Sequence, residues 1–358
     1  MGLLLDTQAT RSTLMSVDST LSETITASQD YIPIASITNF STSVVAEIET
    51  TNEVVSFGSI TTNLFTYSEQ FDNATWNKWN GSISANAAAA PDGTTTADNS
   101  IPTTTNSLFH GFYKIYSGSE NTVSVYAKSN GYDHLNFVFR VGDTDSQGVQ
   151  FKLSDGTITA SQNATGTITS AGDGWYRCAV TPTTTSTSTQ IWFNVSNDSV
   201  PDESNKFSPA AWTPDGSSGI LLWGAQLEDT AAVTGYLPTV ASSLSGLTDV
   251  TRGANGTTAQ AATSGDTIQQ LPYSLSTINM PSRLKGLSVT SDGTGAGRLT
   301  LCDKVGTTLC DVDIPDNRLY DLSWDGGIIF PNGIYVANSD NITAYTLYTD
   351  KHSGAGLS

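Results

Sequence analysis

Short runs in which apolar and polar residues alternate dominate the chain, and they constrain its fold more than any other feature. Examples are TVSVYAKS at 122–129, HLNFVFRV at 134–141 and WYRCAVTP at 175–182. Alternation with a period of two is typical of half-buried β-strands. Turn signals such as PDGTT, SDGT and GDG separate the runs. The sequence therefore predicts an all-β fold built from short strands and many turns.

Composition limits the functions that such a fold can have. The chain has 358 residues, which predicts two or three domains. Its net charge of −19 predicts no binding to nucleic acid and none to anionic membranes. No run approaches 18 apolar residues, and the start MGLLLDTQATRS lacks a basic region, so we expect neither membrane insertion nor a secretory signal.

The residues that usually carry catalysis are sparse. The chain has three histidines and three cysteines, and it contains no GxSxG, HExxH, P-loop or GxGxxG motif. Cys178 alternates with polar neighbours and is predicted to be buried. Cys302 and Cys310 flank the turn-like DKVGTT and are read as two reduced thiols, with a disulfide as the alternative. The sequence therefore predicts a protein that is not an enzyme and needs no cofactor.

One segment has part of a calcium-loop pattern. Asp143 and Asp145 alternate in GDTDSQG, but the glutamate that would close a calcium loop is absent. A hairpin turn explains the same residues, so Ca²⁺ at Asp143 and Asp145 and a plain turn both stay open.

Residues 62–240 carry the longest series of strand-like runs, and their number and spacing predict a β-sandwich or jelly roll. The stretches NLFTYSEQFDNATW, APDGTTTAD, TVSVYAKS, GDGWYRCAV and LLWGAQLE, followed by GYLPT, occur in this order. Together they resemble a lectin-like jelly-roll module that recurs in structural proteins of tailed bacteriophages. The resemblance covers residues 63–239 and identifies no ligand.

A second β-domain is divided in the sequence. IPIASITNFSTSVVAEIETTNEVVSFGSI resembles the front of a small phage-protein β-unit, and LTDVTRGANGTTA resembles its end. We therefore predict a split attachment domain, 29–60 plus 244–269, with 62–240 inserted into one of its turns and 1–28 as an N-terminal arm. The alternative is three domains in a row, with 244–268 as a linker.

Residues 270–350 form a further predicted unit, a small C-terminal β-sandwich. GRLTLCD, CDVDIP, GIIFPNGIYV and AYTLYTD resemble a small sandwich near the C-terminus of phage virion proteins. A core of this size is marginal by itself, so we expect copies of the chain to associate, and the expected oligomer is a homotrimer. Residues 351–358 are expected to be a loose tail.

The tryptophans and tyrosines suggest where a ligand could bind. Those inside the quoted patterns are expected in the core: Trp76, Trp175 and Trp223. Trp79, Tyr132 and Trp212 lie outside the patterns and are the candidate glycan-binding residues, because sugars stack on exposed aromatic rings.

The resemblance implies a non-enzymatic structural component of a tailed-phage particle. We expect an exposed fibre, spike or decoration protein, located in the virion, bound to other virion proteins of the capsid, neck or tail, and able to contact host-surface polysaccharide. The alternatives are a bacterial adhesin or carbohydrate-binding module and, third, a polysaccharide depolymerase.

Overall fold

The computed structural model confirms the all-β prediction. The described residues form 26 strands and no helix, and therefore no helix long and apolar enough to cross a membrane. The structure describes residues 18–38, 40, 45–51, 53–118, 122–141, 144–183, 188–197, 207, 210–254, 257–270, 282–291, 295–303, 308–315, 319–331 and 333–351.

The strands follow the alternating runs closely. The first group is β1 Asp18–Thr20, β2 Ile32–Pro33, β3 Val45–Ile48, β4 Glu53–Ser56 and β5 Ser59–Asn63. The second group is β6 Asn77–Trp79, β7 Gly81–Ala88, β8 Ala97–Pro102, β9 Gly111–Gly118, β10 Thr122–Asn130, β11 His134–Val141, β12 Thr144–Lys152, β13 Thr157–Gln162, β14 Ala164–Gly172, β15 Trp175–Pro182, β16 Ser188–Ser196 and β17 Gly219–Glu228. The third group is β18 Leu244–Thr248, β19 Thr251–Ala254, β20 Thr267–Gln270, β21 Ser282–Ser291, β22 Gly297–Cys302, β23 Thr308–Ile314, β24 Leu319–Phe330, β25 Tyr335–Asp340 and β26 Ile342–Lys351.

The chain divides into two compact units. The first unit contains residues 1–60 and 246–358, and the second contains residues 61–245. The first unit thus includes both the segments predicted to form the split domain and those predicted to form the C-terminal sandwich.

The first unit begins with a five-stranded sheet in the order β1-β20-β3-β4-β19. β3 and β4 form the hairpin predicted from the sequence, with Ile48 opposite Glu53. Both hairpin strands gain their outer neighbours from the second half of the split segment, because β20 pairs with β3 and β19 pairs with β4. The two sequence halves therefore share one sheet.

Residues 18–28 differ from the predicted N-terminal arm. β1 pairs with β20, and Leu21 and Ile25 are buried in the core of this sheet. The sequence shows only a weak apolar pattern here, because the contacts are made by single residues and not by long strands. Leu21 forms an isolated bridge with Ile34, and Ile25 forms one with Ala262. The remainder of the predicted arm, residues 1–17, lies outside the described residues.

A buried ion pair joins the two halves of the split segment. Arg252 Nε and Nη2 donate to Glu53 Oε1 and Oε2, each at 2.8 Å. The main-chain N–H groups of Gly253 and Gln260 donate to the same carboxylate at 2.9 and 3.0 Å. Arg252 also donates to the carbonyl of Thr26 at 2.6 Å. All four hydrogen bonds accepted by Glu53 come from residues about 200 positions later in the chain.

The C-terminal part of the first unit has two three-stranded sheets, β24-β21-β26 and β23-β22-β25. The runs GRLTLCD, CDVDIP and AYTLYTD fall in β22, β23 and β26, and GIIFPNGIYV is divided between the end of β24 and the start of β25. Cys302 and Cys310 are both buried and free, because the register places Cys310 opposite Leu301 and Cys302 opposite Thr308. The prediction of two reduced thiols is therefore confirmed. The predicted tail begins at Lys351, which ends β26; residues 352–358 lie outside the described residues.

The second unit is a β-sandwich of two six-stranded antiparallel sheets with a jelly-roll-like strand order. The first sheet has the order β14-β15-β10-β17-β8-β7, and the second sheet has the order β13-β12-β11-β16-β9-β6. Their inner faces share one apolar core, in which Phe112 and Phe193 stack at 5.1 Å. Trp76, Trp175 and Trp223 are buried, as the sequence predicts, and so is Cys178.

Candidate functional site

The outer face of the second sheet has an unusual composition. In β11, Leu135, Phe137 and Phe139 point into the sandwich core, so the alternate residues Asn136 and Val138 lie on the opposite face. An outer sheet face normally meets water and is polar. Here it combines a cluster of aromatic rings with a row of buried amides.

The strand register places the amides and one tryptophan in a single line across the strands. Gln150 of β12 lies opposite Asn136 of β11, which lies opposite Asn194 of β16. Asn194 lies opposite Gly111 of β9, which lies opposite Trp79 of β6. Gly111 has no side chain to separate Asn194 from Trp79. We call Gln150, Asn136 and Asn194 the amide row.

The adjacent line across the same strands is aromatic. Trp192 of β16 stacks on Tyr113 of β9, with ring centroids 4.3 Å apart and planes at 23°. Trp79 packs edge-on against Trp192 at 6.4 Å. The guanidinium of Arg140 lies 5.8 Å from the Trp192 ring centroid, within the range of a cation–π contact. We call Trp79, Trp192 and Tyr113 the aromatic stack.

Exposure differs sharply within the aromatic stack. Trp192 is buried, Tyr113 is half-buried, and Trp79 is 52 % exposed. One side of the Trp79 indole packs against the buried rings at the edge of the sheet, and the rest of the indole is exposed to water. This is a rigid apolar ring that a ligand can reach.

On the buried part of this face, the ring of Phe207 packs directly against the main chain at Gly148. Phe207 is fully buried in a cluster with Val138, Ala160 and Trp192. A Cβ at Gly148 would lie 2.3 Å from the Phe207 ring, so no residue larger than glycine fits there without displacing that ring. Gly148 therefore permits Phe207 to pack directly on β12.

The amide row is connected by hydrogen bonds that run in one direction. The Thr159 hydroxyl donates to Gln150 Oε1 at 2.7 Å, and Gln150 Nε2 donates to the Ser196 hydroxyl at 3.2 Å. The Ser196 hydroxyl lies 3.3 Å from Asn136 Oδ1 and 3.2 Å from the carbonyl of Asn197, and its single proton is shared between these two acceptors. The Nδ2 group of Asn136 lies at the end of this series.

Asn194 also accepts through its Oδ1 and keeps its NH₂ group as a donor, but a different contact fixes this orientation. Its Oδ1 accepts the main-chain N–H of His110 at 2.5 Å, and an N–H group can only donate, so the Nδ2 of Asn194 faces away from it. Within the part of the chain that the structure describes, Asn136 Nδ2, Asn194 Nδ2 and Trp212 Nε1 are buried and have no hydrogen-bond partner. All three groups are donors.

Two of the three candidate glycan-binding residues lie together. The rings of Tyr132 and Trp212 form an edge contact with centroids 4.9 Å apart, and both side chains are half-buried. The Tyr132 hydroxyl accepts the main-chain N–H of Asp215 at 2.9 Å. Partial burial raises the pKa of Tyr132, and the nearby charge of Asp215 adds to the rise. Tyr132 is thus a packed residue that anchors the 215–218 turn.

His110 connects Trp212 to the amide row. The His110 and Trp212 rings lie 5.3 Å apart, and the His110 main chain bonds Asn194 as described above. Both ring nitrogens of His110 lie within hydrogen-bond distance of carbonyls, those of Asn80 and Ser107. A carbonyl oxygen only accepts and a neutral imidazole has one N–H, so the His110 ring donates to one of these two carbonyls.

The side chains of both candidate calcium residues lie outside the described part of the structure. Asp143 lies outside the described residues, and Asp145 lies in β12 opposite Arg140, with its side chain also outside the description. Among the described residues, no group of three or more His, Cys, Asp or Glu side chains could hold a metal ion.

Sequence reasoning found Trp79 but missed its neighbours. Tyr113 and Trp192 lie inside alternating runs, FYKIY and QIWFNVS, in which they alternate with the core residues Phe112 and Phe193. That alternation signals an outward direction for both rings. The pairing of β16 with β9, which stacks them, is a long-range feature and has no signal within either run.

The outer face of the second sheet therefore offers the exposed ring of Trp79 for stacking and N–H groups for hydrogen bonding. Both features are suited to binding a ligand. Comparison of the chain with protein-family models and with curated proteins yields no match.

Proposed function

We propose that this chain is a non-enzymatic structural component of a tailed-phage virion, an exposed fibre, spike or decoration protein. The sequence resemblance of residues 63–239 supports the proposal. The placement of the second unit supports it too, because a compact unit carried between two segments of another is suited to display.

We propose further that the second unit contacts host-surface glycans through Trp79. One observation carries this proposal: Trp79 is a half-exposed indole held in place by Trp192 and Tyr113. Sugar rings present C–H faces that stack on such a surface. An aromatic ring fixed by packing also loses little conformational freedom when it binds.

The test is binding of the full chain to a glycan array and to host envelopes. Trp79→Ala should weaken binding about tenfold to a hundredfold, if stacking contributes about 1 to 3 kcal/mol as base–aromatic contacts do. Trp79→Phe should retain part of the affinity. The matched control is Ile158→Ala, an exposed apolar residue on the opposite edge strand of the same sheet, which should bind normally.

A buried aromatic residue provides the second control. Trp223→Ala should lower the free energy of unfolding by about 3 to 5 kcal/mol, because it removes a large buried ring. Trp79→Ala should leave the unfolding midpoint nearly unchanged. If the wild-type chain binds no glycan, or if Trp79→Ala binds as tightly as Ile158→Ala, the glycan proposal is wrong and the unit is a spacer or a surface decoration.

We also propose that copies of the chain associate through the sheet β24-β21-β26. Four of the ten large apolar side chains that are exposed among the described residues belong to this one sheet: Leu319, Tyr320, Ile329 and Tyr348. β24 is also an edge strand of 12 residues, and an edge strand presents unpaired main-chain groups to a second chain.

A further inference from the structure

We propose that the amide row continues the Trp79 site, so that one ligand lies across strands β6, β9, β16 and β11 and presents N-acyl carbonyl oxygens to Asn194, Asn136 and Trp212. The inference rests on the proposed glycan binding and names the sugar class: N-acylated sugars.

The direction of the hydrogen bonds determines the ligand chemistry. Asn136 Nδ2, Asn194 Nδ2 and Trp212 Nε1 are all N–H donors, and all three are buried without a partner among the described residues. A buried donor that lacks a partner destabilises the ligand-free fold. A ligand that offers acceptors would relieve this cost, whereas one that offers donors would not.

The position of the amides fits a ligand that also stacks on Trp79. Asn194 and Trp79 are two strands apart in the same line, with Gly111 between them. Neighbouring strands are separated by about 4.8 Å, so this distance is about 10 Å along the line. A short oligosaccharide that covers Trp79 with one sugar can therefore reach Asn194 with the next.

Charge distinguishes between the two common acceptor groups of sugars. A carboxylate and an N-acyl carbonyl both accept N–H hydrogen bonds. The chain has a net charge of −19, which repels acidic polysaccharides at a distance, and the three donors are neutral. The N-acyl carbonyl is therefore the better match.

Entry of the ligand requires a local opening, because Asn136 and Asn194 are 0 % exposed in the ligand-free fold. Trp212 is attached to Ser107 by an isolated β-bridge of two hydrogen bonds, at 3.1 and 3.2 Å. We infer that opening this bridge would let the Trp212 ring move away from His110, whose main chain bonds Asn194, without breaking either sheet of the sandwich. We expect association with the ligand to be slower than a preformed surface would allow.

The experiment compares N-acylated, uronic-acid and unsubstituted neutral oligosaccharides on one array, followed by titration of the best-bound member of each class. The wild-type chain should prefer the N-acylated class. Trp212→Phe keeps an aromatic ring and removes the N–H. It should weaken N-acylated binding about fivefold and leave neutral binding unchanged, because a single hydrogen bond contributes about 1 kcal/mol.

Asn194→Asp is the second variant. It keeps the Oδ1 that accepts from His110 and replaces the NH₂ donor, so it should also lose the N-acyl preference. Asn106→Asp is the matched control, an exposed amide of the same unit. Trp212→Phe should unfold no earlier than the wild type, because the N–H that it removes has no partner, and this separates a binding role from a structural one.

The outcomes separate the two proposals. If glycans bind through Trp79 with no preference for N-acyl groups, or if Trp212→Phe and Asn194→Asp keep the wild-type preference, the three donors bind internal water only and the inference is wrong. If no glycan binds, or if Trp79→Ala has no effect, the proposed function itself fails.

Discussion

Replacing Glu53 by glutamine tests how the two halves of the split segment are held together. Glu53 is fully buried, and its two oxygens accept four N–H hydrogen bonds, two from Arg252 and one each from Gly253 and Gln260. In Glu53→Gln one oxygen becomes an NH₂ group that faces two donors. The charge of Arg252, whose side chain is 7 % exposed, then lacks its carboxylate.

The expected loss is large. Removing one partner of a buried ion pair costs about 3 to 5 kcal/mol, because the other charge stays buried. Native proteins are stable by only about 5 to 15 kcal/mol, so the first unit should lose a large part of its stability. Hydrogen exchange of peptides from β3, β4 and β20 measures the stability of the first unit directly. Tryptophan fluorescence would report mainly on the second unit, because six of the seven tryptophans lie there.

The pair Arg298–Asp311 provides a matched control in the same unit. Its side chains are 54 % and 35 % exposed, so Asp311→Asn should cost no more than about 1 kcal/mol. If Glu53→Gln lowers the free energy of unfolding by no more than Asp311→Asn does, the reasoning from burial is refuted.

Acid provides an independent check of the same prediction. Burial by itself raises the pKa of Glu53, but the hydrogen bonds from Arg252, Gln260 and Gly253 outweigh it and hold the pKa below its usual range. The ionised carboxylate therefore stabilises the fold above the unfolded-state pKa of about 4.3, and this contribution is lost as the pH falls through the lower folded-state pKa. The stability difference between the wild type and Glu53→Gln should be constant from pH 7 to about 5 and shrink below about pH 4.

Two further predictions concern the units. Residues 61–245 expressed alone should give a cooperatively unfolding β-rich protein, because the sandwich has its own core; a fragment without protected amides in hydrogen exchange would contradict this. The full chain should sediment as an oligomer at micromolar concentration, and the double variant Leu319→Ser, Tyr348→Ser should shift it toward the monomer; a monomeric wild type would disprove association through that sheet.

The strands of the second unit could be predicted because each carries its own signal. Val123, Val125 and Ala127 alternate with polar residues in β10, and all three are in the core. Such a pattern shows which residues share a face of a strand, whatever the rest of the chain does. The all-β class follows from these local signals alone.

The partners of each strand could not be predicted in the same way. Asn136 and Asn194 are 58 positions apart, and only the pairing of β11 with β16 makes them neighbours. Shifting that register by one residue would exchange the two faces, so the amide row exists only in the folded sheet. Residues 18–28 were misjudged for a related reason: a three-residue strand and two isolated bridges have no periodic pattern to detect.

The C-terminal segments were predicted as a separate sandwich, and the strand signals gave no reason to join them to the split domain. A small cluster contains Val45, Val54 and Ala254 of the split segments together with Cys302 and Tyr335 of the C-terminal part. The buried tyrosine and cysteine lie next to turn-like stretches, where apolar alternation is short. Contacts of this kind depend on which faces meet, and the sequence of either segment does not specify that.

The same packing explains how the first unit can tolerate a long interruption. Replacing a four-residue turn by about 185 unstructured residues would cost about 3 to 4 kcal/mol in closure entropy. The second unit costs less, because it is folded and its ends adjoin, with the Thr62 and Ser245 hydroxyls 2.8 Å apart. The Glu53–Arg252 pair contributes less than its removal would cost, because both charges had to be desolvated. Pairing of β20 with β3 and of β19 with β4 must therefore supply most of what holds the second half in place. The ion pair instead defines a position. Its bidentate geometry holds Arg252 against the carboxylate of Glu53, and this fixes the register of β19 against β4.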